Sequence, residues 1–171
     1  MDGNGVRHTT RRRETTKIEE HTTMKSYKEI VDKFERAQEY HTFIQSFGHG
    51  GLDKLNDAMN QPYPLLWIRP LASSGIQPYG QRQLAFEVYM LDVPKLDRTT
   101  DLQTMSDCER ALYDVYTYFR DGAEQQEYEI SMTTITPVME AFQDRLMGWV
   151  ANINIITTSQ GITICNIPTE I

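Results

Sequence analysis

The chain has 171 residues, of which 39% are hydrophobic, and a formal net charge of −7. This length suits a single domain that can bury a core of its own. No apolar run approaches the roughly 20 residues of a membrane-spanning helix, and the first residues lack the apolar stretch of a signal peptide. We therefore expect no membrane partner and no secretion.

The cysteines and histidines do not form a metal-ligand pattern. Cys108 and Cys165 lie far apart, each within an apolar pattern, so we expect two buried free thiols in a reducing compartment. The four histidines show no spacing that would combine with them into a zinc site. We expect no metal ion and no cofactor.

Residues 1–23 are dominated by Gly, Asn, Thr and charged residues and predict a basic, flexible arm. Residues 1–17 hold five basic and two acidic side chains, a charge of +3, so the rest of the chain must carry −10 to give the net −7. Arg11, Arg12 and Arg13 could grip phosphate. Because no aromatic residue lies among them, we favour an arm that docks on an acidic protein surface.

The first helix is predicted to begin at Ser26, because Glu29 three residues later completes a capping box. It should end between Glu39 and His41. The residues on its apolar face are Tyr27, Ile30, Val31, Phe34 and Ala37. Two pairs of opposite charge four residues apart are expected to point outward, namely Glu29 with Lys33 and Asp32 with Arg36.

A short strand and a glycine-rich turn follow this helix. The aromatic run Thr42–Phe47 predicts a strand, and Gly48–Gly51 predicts a turn before a short helix over Leu52–Met59. A glycine-rich loop before a helix can also cradle a phosphate, but this one lacks the lysine and Ser/Thr ending of a P-loop. We favour the turn.

Two longer apolar runs predict neighbouring strands. Tyr63–Leu71 is bounded by prolines and is expected to be a buried or edge strand. Residues 72–82 are expected to form a long flexible connection. Gln83–Val93 then shows the clearest period-two pattern in the chain, with one face made of Leu84, Phe86, Val88 and Met90. We expect it to pair antiparallel with the preceding strand.

The strongest helix follows a segment rich in aspartate. Its aspartates lack the alternation and closing glutamate of a calcium loop, so we expect Ser106 and Glu109 to form a second capping box. The apolar stripe of the helix is Cys108, Ala111, Leu112, Val115 and Phe119. Asp121-Gly122 is expected to end it. Tyr116 and Tyr118 broaden the apolar surface and are our candidates for contact with a neighbouring protein.

The last third of the chain is rich in β-forming residues. Tyr128–Thr136 predicts a strand that Pro137 stops, and Glu140–Met147 predicts one or two helical turns. Val150–Thr157 and Ile162–Ile167, separated by a turn at Ser159 to Gly161, predict a final strand pair.

The order of these elements predicts one α+β domain over residues 24–171. Clustered strands with few helices favour a mainly antiparallel sheet, packed by two main helices. The arm would extend from this domain.

Catalytic constellations are not found in the sequence. We see no paired carboxylates, no Ser–His–Asp elbow and no Cys–His pair at a familiar spacing. His41 and His49 are the places where a general base could lie. A solvated or capping histidine is favoured by roughly ten to one, and we expect that the protein is not an enzyme.

The chain nevertheless resembles a known family over most of its length outside the arm. The segments FIQSFGHGGLDKLNDA, YPLLWIRPL, LAFEVYMLD, DLQTMSD, FQDRLMGW and CNIP follow one another as in neck and tail-completion proteins of tailed bacteriophages. The residues that carry the resemblance are structural: Tyr63-Pro64, Asp92, Ser106-Asp107, Asp144 and Gly148-Trp149. The chain is similar in particular to small virion proteins of crAss-like phages that infect Bacteroides.

This resemblance implies a tail-terminator-like subunit with a structural role in the virion. Its copies would form a six- or twelve-fold homo-oligomeric ring in the neck, contact the portal or adjacent ring proteins, and let DNA pass non-specifically. An acidic body would repel DNA and allow it to slide. The run Arg11-Arg12-Arg13 has no counterpart in the family pattern. The alternative is a phage nucleic-acid-binding or packaging protein that acts through this arm.

Overall fold

The computed structural model describes residues 26–57, 61–76, 81–94, 99–122, 128–141 and 145–157. In chain order the elements are α1 (Tyr27–Tyr40), β1 (Ser46–His49), α2 (Leu52–Asp57), β2 (Leu65–Pro70), β3 (Gly75–Ile76), β4 (Arg82–Asp92), α3 (Asp101–Arg120), β5 (Tyr128–Ala141) and β6 (Leu146–Thr157). The predicted arm over 1–23, the predicted strand Ile162–Ile167 and Cys165 lie outside the described residues.

The strands form one six-stranded sheet in the order β1-β2-β4-β6-β5, with the short β3 paired to β4. Among the described strands, β1 and β2 pair parallel and the other pairs are antiparallel. The predicted α+β fold with a mainly antiparallel sheet is therefore confirmed, and so is the antiparallel pairing of β2 with β4.

One face of the sheet, called here the main face, is covered by α1 and α3. The apolar stripes predicted for both helices are buried against alternate residues of β4, as expected from their spacing. Phe34 of α1 lies at the centre, with ring centroids 5.6 Å from Phe86 and 4.4 Å from Phe119. Trp149 of β6 connects the sheet to α3, because its indole N–H donates a hydrogen bond of 2.8 Å to the carbonyl oxygen of Met105.

The opposite face, called here the reverse face, is covered over part of its area by α2 and the segment before β2. A smaller apolar cluster lies there: Leu55, Leu65, Trp67, Tyr89, Leu91 and Leu146. Beyond this cluster the face turns polar, with Arg69, Glu87 and Asn154 among its side chains.

Gly148 explains the Gly-Trp pair near the start of β6. Its φ of +153° is rarely adopted by residues with a side chain, and a Cβ there would overlap the carbonyl oxygen of Met90. A glycine is therefore required for β6 to lie this close to β4. Gly48 of β1 has a similar role, since a Cβ there would overlap the ring of Trp67.

The predicted capping box at Ser26 is confirmed, with the Ser26 and Glu29 side chains each bonded to the other's backbone N–H. The second capping box is wrong. Helix α3 begins at Asp101 after the cap residue Thr100, which makes no side-chain cap bond, so Ser106 lies inside the helix. Burial of Thr104 extends the apolar stripe by a further turn and accounts for the earlier start.

The outward position predicted for Lys33 is also wrong. This side chain is only 4% exposed and lies on the buried face of α1. The exposed ion pair of the helix joins Lys28 Nζ to Asp32 Oδ2 over 2.5 Å instead. Position 33 falls three residues after Ile30 and four before Ala37. The helical spacing therefore places Lys33 on the apolar stripe.

Several predicted strand limits need correction. The first strand is Ser46–His49 and includes part of the predicted turn. The connection 72–82 contains β3. Pro137 does not stop β5, because β5 is an edge strand where a missing N–H is tolerated. The strand continues to Ala141, and β6 begins at Leu146, so both ends of the predicted helix over Glu140–Met147 lie in strands.

The predicted strand Val150–Thr157 lies within β6, and the partner predicted for it, Ile162–Ile167, lies outside the described residues. β6 is paired along its whole length with β4 on one side and with β5 on the other. Both edges of β6 are therefore occupied by described strands.

Candidate interaction surface

The predicted site residues do not form one site. Arg11, Arg12 and Arg13 lie outside the described residues. Tyr116 and Tyr118 are two residues apart on α3, which places them about 160° apart around the helix axis. The Tyr118 ring lies 6.4 Å from that of Tyr40 on α1. Tyr116 instead lies under the guanidinium of Arg120, at 5.8 Å.

A groove runs between the end of α1 and the middle of α3. It consists of two depressions of about 200 and 260 Å³, and both are lined by His41 and Asp114. Tyr40 and Tyr118 line the first depression, and Phe43 lines the second. Tyr40 is 75% exposed although its ring is large and apolar. The groove thus presents an aromatic rim to its surroundings.

His41 links the two helices in the floor of this groove. Its Nε2 lies 3.2 Å from Asp114 Oδ2, and its Nδ1 accepts the backbone N–H of Phe43 over 3.2 Å. Since Nδ1 accepts, Nε2 carries the proton that it donates to the carboxylate. Both ring nitrogens are therefore engaged. The arrangement makes His41 a structural link between the end of α1 and α3.

His49, the other histidine considered as a base, is exposed at the end of β1. Its ring lies 6.4 Å from that of Phe47. It is not among the residues that line the groove.

Beside the groove, Lys33 lies inside a set of aromatic rings. Its Nζ is 5.5 Å from the centroid of Tyr118, 5.3 Å from that of Phe119 and 5.0 Å from that of Tyr128. An ammonium over several ring faces is attracted by their quadrupoles, more strongly where water is excluded. Tyr118 therefore has a structural role in this cluster as well as its place on the groove.

The reverse face carries a polar network that sequence reasoning did not single out. Glu87 receives two short bonds, from Arg69 Nη2 at 2.7 Å and from the Tyr89 hydroxyl at 2.6 Å. Burial, reinforced by this bond to Glu87, raises the pKa of Tyr89 well above its ordinary value. Further along the same face, Gln83 donates to Asn154 over 3.2 Å. In the sequence, the polar residues that alternate with the apolar ones along β4 could have indicated this network.

Cys108 is a buried thiol, as predicted. Burial, with smaller contributions from the Asp92 and Asp107 carboxylates, raises its pKa to about 12. Because the thiolate is the reactive form, this cysteine is inert near neutral pH. Across the described ranges, no group of three or more His, Cys, Asp or Glu side chains is placed to hold a metal ion.

The free side of β5 is a second surface of a different kind. Among the described strands, β5 pairs only with β6, so its other edge has no strand neighbour within the described residues. Residues 130–139 include no charged side chain, whereas edge strands are commonly protected by charges. The pairing of β5 with β6 shifts register twice, between Met132 and Thr134 and between Val138 and Ala141. Pro137 interrupts the second half of the strand as well.

No protein-family model matches the chain, and no curated protein matches it. Within the residues described, no helix has both the length and the apolar character needed to cross a membrane.

Proposed function

We propose that this protein is a structural subunit of a ring in the neck or tail of a tailed bacteriophage. In the virion, the ring would join the portal and capsid to the tail, and its inner surface would line the channel for DNA. The proposal is supported chiefly by one feature: the subunit has two unlike exposed surfaces, the aromatic groove between α1 and α3 and the free edge of β5. A head-to-tail ring requires two different, complementary surfaces on each copy.

The groove has the chemistry of a protein-binding surface. Aromatic residues are enriched at the buried centres of interfaces, because they bury a large area at low entropic cost. Tyr40, which lines the groove, is largely exposed and so retains apolar area for a partner to cover. His41 and Asp114 add polar groups to the lining of the groove.

The charge distribution is compatible with a channel through which DNA slides. Outside the first 17 residues the chain carries a net charge of −10. A surface of this sign repels the phosphate backbone and lets DNA pass without tight binding.

Assembly of the purified full chain tests this proposal. We expect closed rings in negative-stain electron microscopy and a matching oligomer mass in light scattering. Tyr40→Ala is expected to raise the concentration needed for assembly by about tenfold, as for a moderate interface hot spot. Glu35→Ala is the matched control, since Glu35 is also exposed on α1 but does not line the groove. A monomer at every concentration, alone and with portal protein, would refute the ring.

A second candidate function follows from the run Arg11-Arg12-Arg13, which gives the arm its positive charge. If the chain instead binds DNA through this arm, retention on a DNA duplex should fall steeply with salt and disappear when the three arginines become alanine. Absence of DNA retention at low salt would exclude this candidate and leave the ring proposal unaffected.

A further inference from the structure

His41 ends α1 and uses both of its ring nitrogens in hydrogen bonds. It is the C-cap residue of the helix, and its backbone N–H donates to the carbonyl of Gln38. Its Nδ1 accepts the backbone N–H of Phe43 over 3.2 Å, while its Nε2 lies 3.2 Å from Oδ2 of Asp114 on α3. Nδ1 can accept a hydrogen bond only when it carries no proton, so this arrangement belongs to the neutral ring. The side chain is 21% exposed, so water reaches it.

A second proton on this ring removes one of the two contacts and keeps the other. Histidine is the side chain whose charge ordinarily changes between pH 5 and 8. In the protonated ring both nitrogens are donors, so Nδ1–H and the N–H of Phe43 face each other as two donors and their hydrogen bond is lost. The contact from Nε2 to Asp114 becomes a charge-assisted hydrogen bond, which is stronger than a neutral one. Because the carboxylate holds the ring in place, the ring is not free to turn and relieve the conflict at Nδ1.

The charges around His41 allow the ring to stay in the groove when it is protonated. The titratable side chains that line the groove with it are Tyr40, Asp107, Arg110, Asp114 and Tyr118. Two of these are acids, one is a base and the tyrosines carry no charge near neutral pH, so their sum is one negative charge. The Lys33 ammonium of α1 lies 5.5 Å from the Tyr118 ring and is not part of this lining. Protonation of His41 therefore brings the charge of the lining to zero and leaves no positive excess that would expel the ring.

The lost bond releases only a short part of the connection between α1 and β1. Ile44 stays held, because its side chain is 2% exposed and its carbonyl accepts the side-chain amide of Gln38 over 3.3 Å. Thr42 and Phe43 lie between this anchor and the end of the helix, and Thr42 is exposed. Phe43 lines the second depression of the groove but not the first. Release of its N–H therefore changes the lining of the second depression and leaves that of the first in place.

We propose that His41 is a proton-operated switch within the subunit. When its ring takes up a proton, residues 42–43 separate from the end of α1, while α1 stays joined to α3 through Asp114. The second depression of the groove then has one shape near pH 8 and another near pH 5. This change takes place within one copy of the chain and does not require the proposed ring.

Nuclear magnetic resonance of the full chain, at a concentration below that of assembly, tests the switch at single residues. The chain has only four histidines and six phenylalanines, so selective labelling of these two residue types gives few signals. Between pH 8 and pH 5, the ring signals of His41 and the backbone amide signal of Phe43 should shift with one common midpoint. Exchange of the Phe43 amide with water, corrected for the intrinsic effect of pH, should rise about fivefold, as for the loss of one hydrogen bond. The Nε2 proton of His41 should stay observable near pH 5, because Asp114 holds it.

His41→Asn separates titration from the hydrogen bond itself. The side-chain oxygen of an asparagine can accept a backbone N–H two residues further along the chain, as in an Asx-turn, and it does not titrate. The Phe43 amide signal of this variant should therefore stay constant between pH 8 and pH 5. The matched control is His49→Asn, because His49 is exposed at the end of β1 and does not line the groove. In this control the Phe43 signal should shift as in the parent chain.

Four results would overturn the proposal. A His41 ring that titrates while the Phe43 amide signal stays in place would show that the turn survives protonation. A Phe43 shift that persists in His41→Asn would assign the change to another group. A His41 ring that takes up no proton down to pH 5 would remove the switch, and loss of the Nε2 proton signal on protonation would show that the ring leaves Asp114. None of these outcomes bears on the proposed ring, because all of them concern contacts within one subunit.

Discussion

The two faces of the sheet differ in how fully the chain covers them. On the main face, α1 and α3 close a continuous apolar core, and Trp149, His41 and Lys33 attach the helices to the sheet and to each other. On the reverse face, α2 covers a small apolar cluster. Beyond that cluster lies the polar network around Glu87. Stability should therefore depend mainly on the main face.

This difference separates the parts that hold the fold from those that can meet a neighbour. The centre of the main face has no exposed area to offer, because its large side chains are fully buried. Exposed apolar side chains lie at its margins, with Tyr40 beside the groove and Met139 on β5, whose outer edge has no strand neighbour among the described residues. Substitutions at the margins should change assembly, whereas substitutions in the centre should change folding.

The largest expected effect comes from truncation at the centre of the main face. Phe34→Ala removes a fully buried ring that contacts Phe86 and Phe119 and should lower the free energy of unfolding by about 3–5 kcal/mol. Val150→Ala, at a partly buried position on the reverse face, should cost about 1 kcal/mol. Urea denaturation followed by circular dichroism measures both. Equal losses would contradict the difference between the two faces.

A smaller effect is expected at Lys33, where the structure reversed the sequence prediction. Lys33→Ala removes a buried stem and an ammonium over three aromatic rings, and should cost about 2 kcal/mol. Lys28→Ala on the same helix should leave the unfolding curve unchanged, because Lys28 is exposed. If both variants unfolded like the parent chain, Lys33 would be a surface residue after all.

The smallest effect is expected in the polar network of the reverse face. Glu87→Gln keeps an acceptor but removes the charge that Arg69 and Tyr89 contact. The pair is partly exposed, so the loss should be about 1 kcal/mol and should shrink as salt is added. Glu129→Gln, exposed on the same face, is the control. A loss as large as that of Phe34→Ala would mean that the network, rather than the main face, dominates stability.

Local spacing predicted the parts of this protein that depend on a single element. The stripes of α1 and α3, the Ser26 capping box and the alternation of β4 are confirmed, because a period of 3.6 or 2 determines which side chains share a face. The same rule separates Tyr116 from Tyr118 by about 160° around α3, although both were predicted as candidates for contact with a neighbouring protein. It also places Lys33 on the apolar stripe of α1, although the charge of this residue led to the prediction of an outward position.

Other features depended on which distant segments meet. The β-rich composition of Val150–Thr157 predicted a strand, but only the tertiary structure shows that β6 pairs with both β4 and β5. In the sequence, Pro137 predicts the end of a strand. The strand continues past it because β5 lies at the edge of the sheet, where a missing backbone N–H is tolerated. His41 gained its role from Asp114, which lies 73 positions away along the chain. Sequence periodicity thus determined the faces of each element, while long-range pairing alone decided the order of the strands, the free edge and the groove.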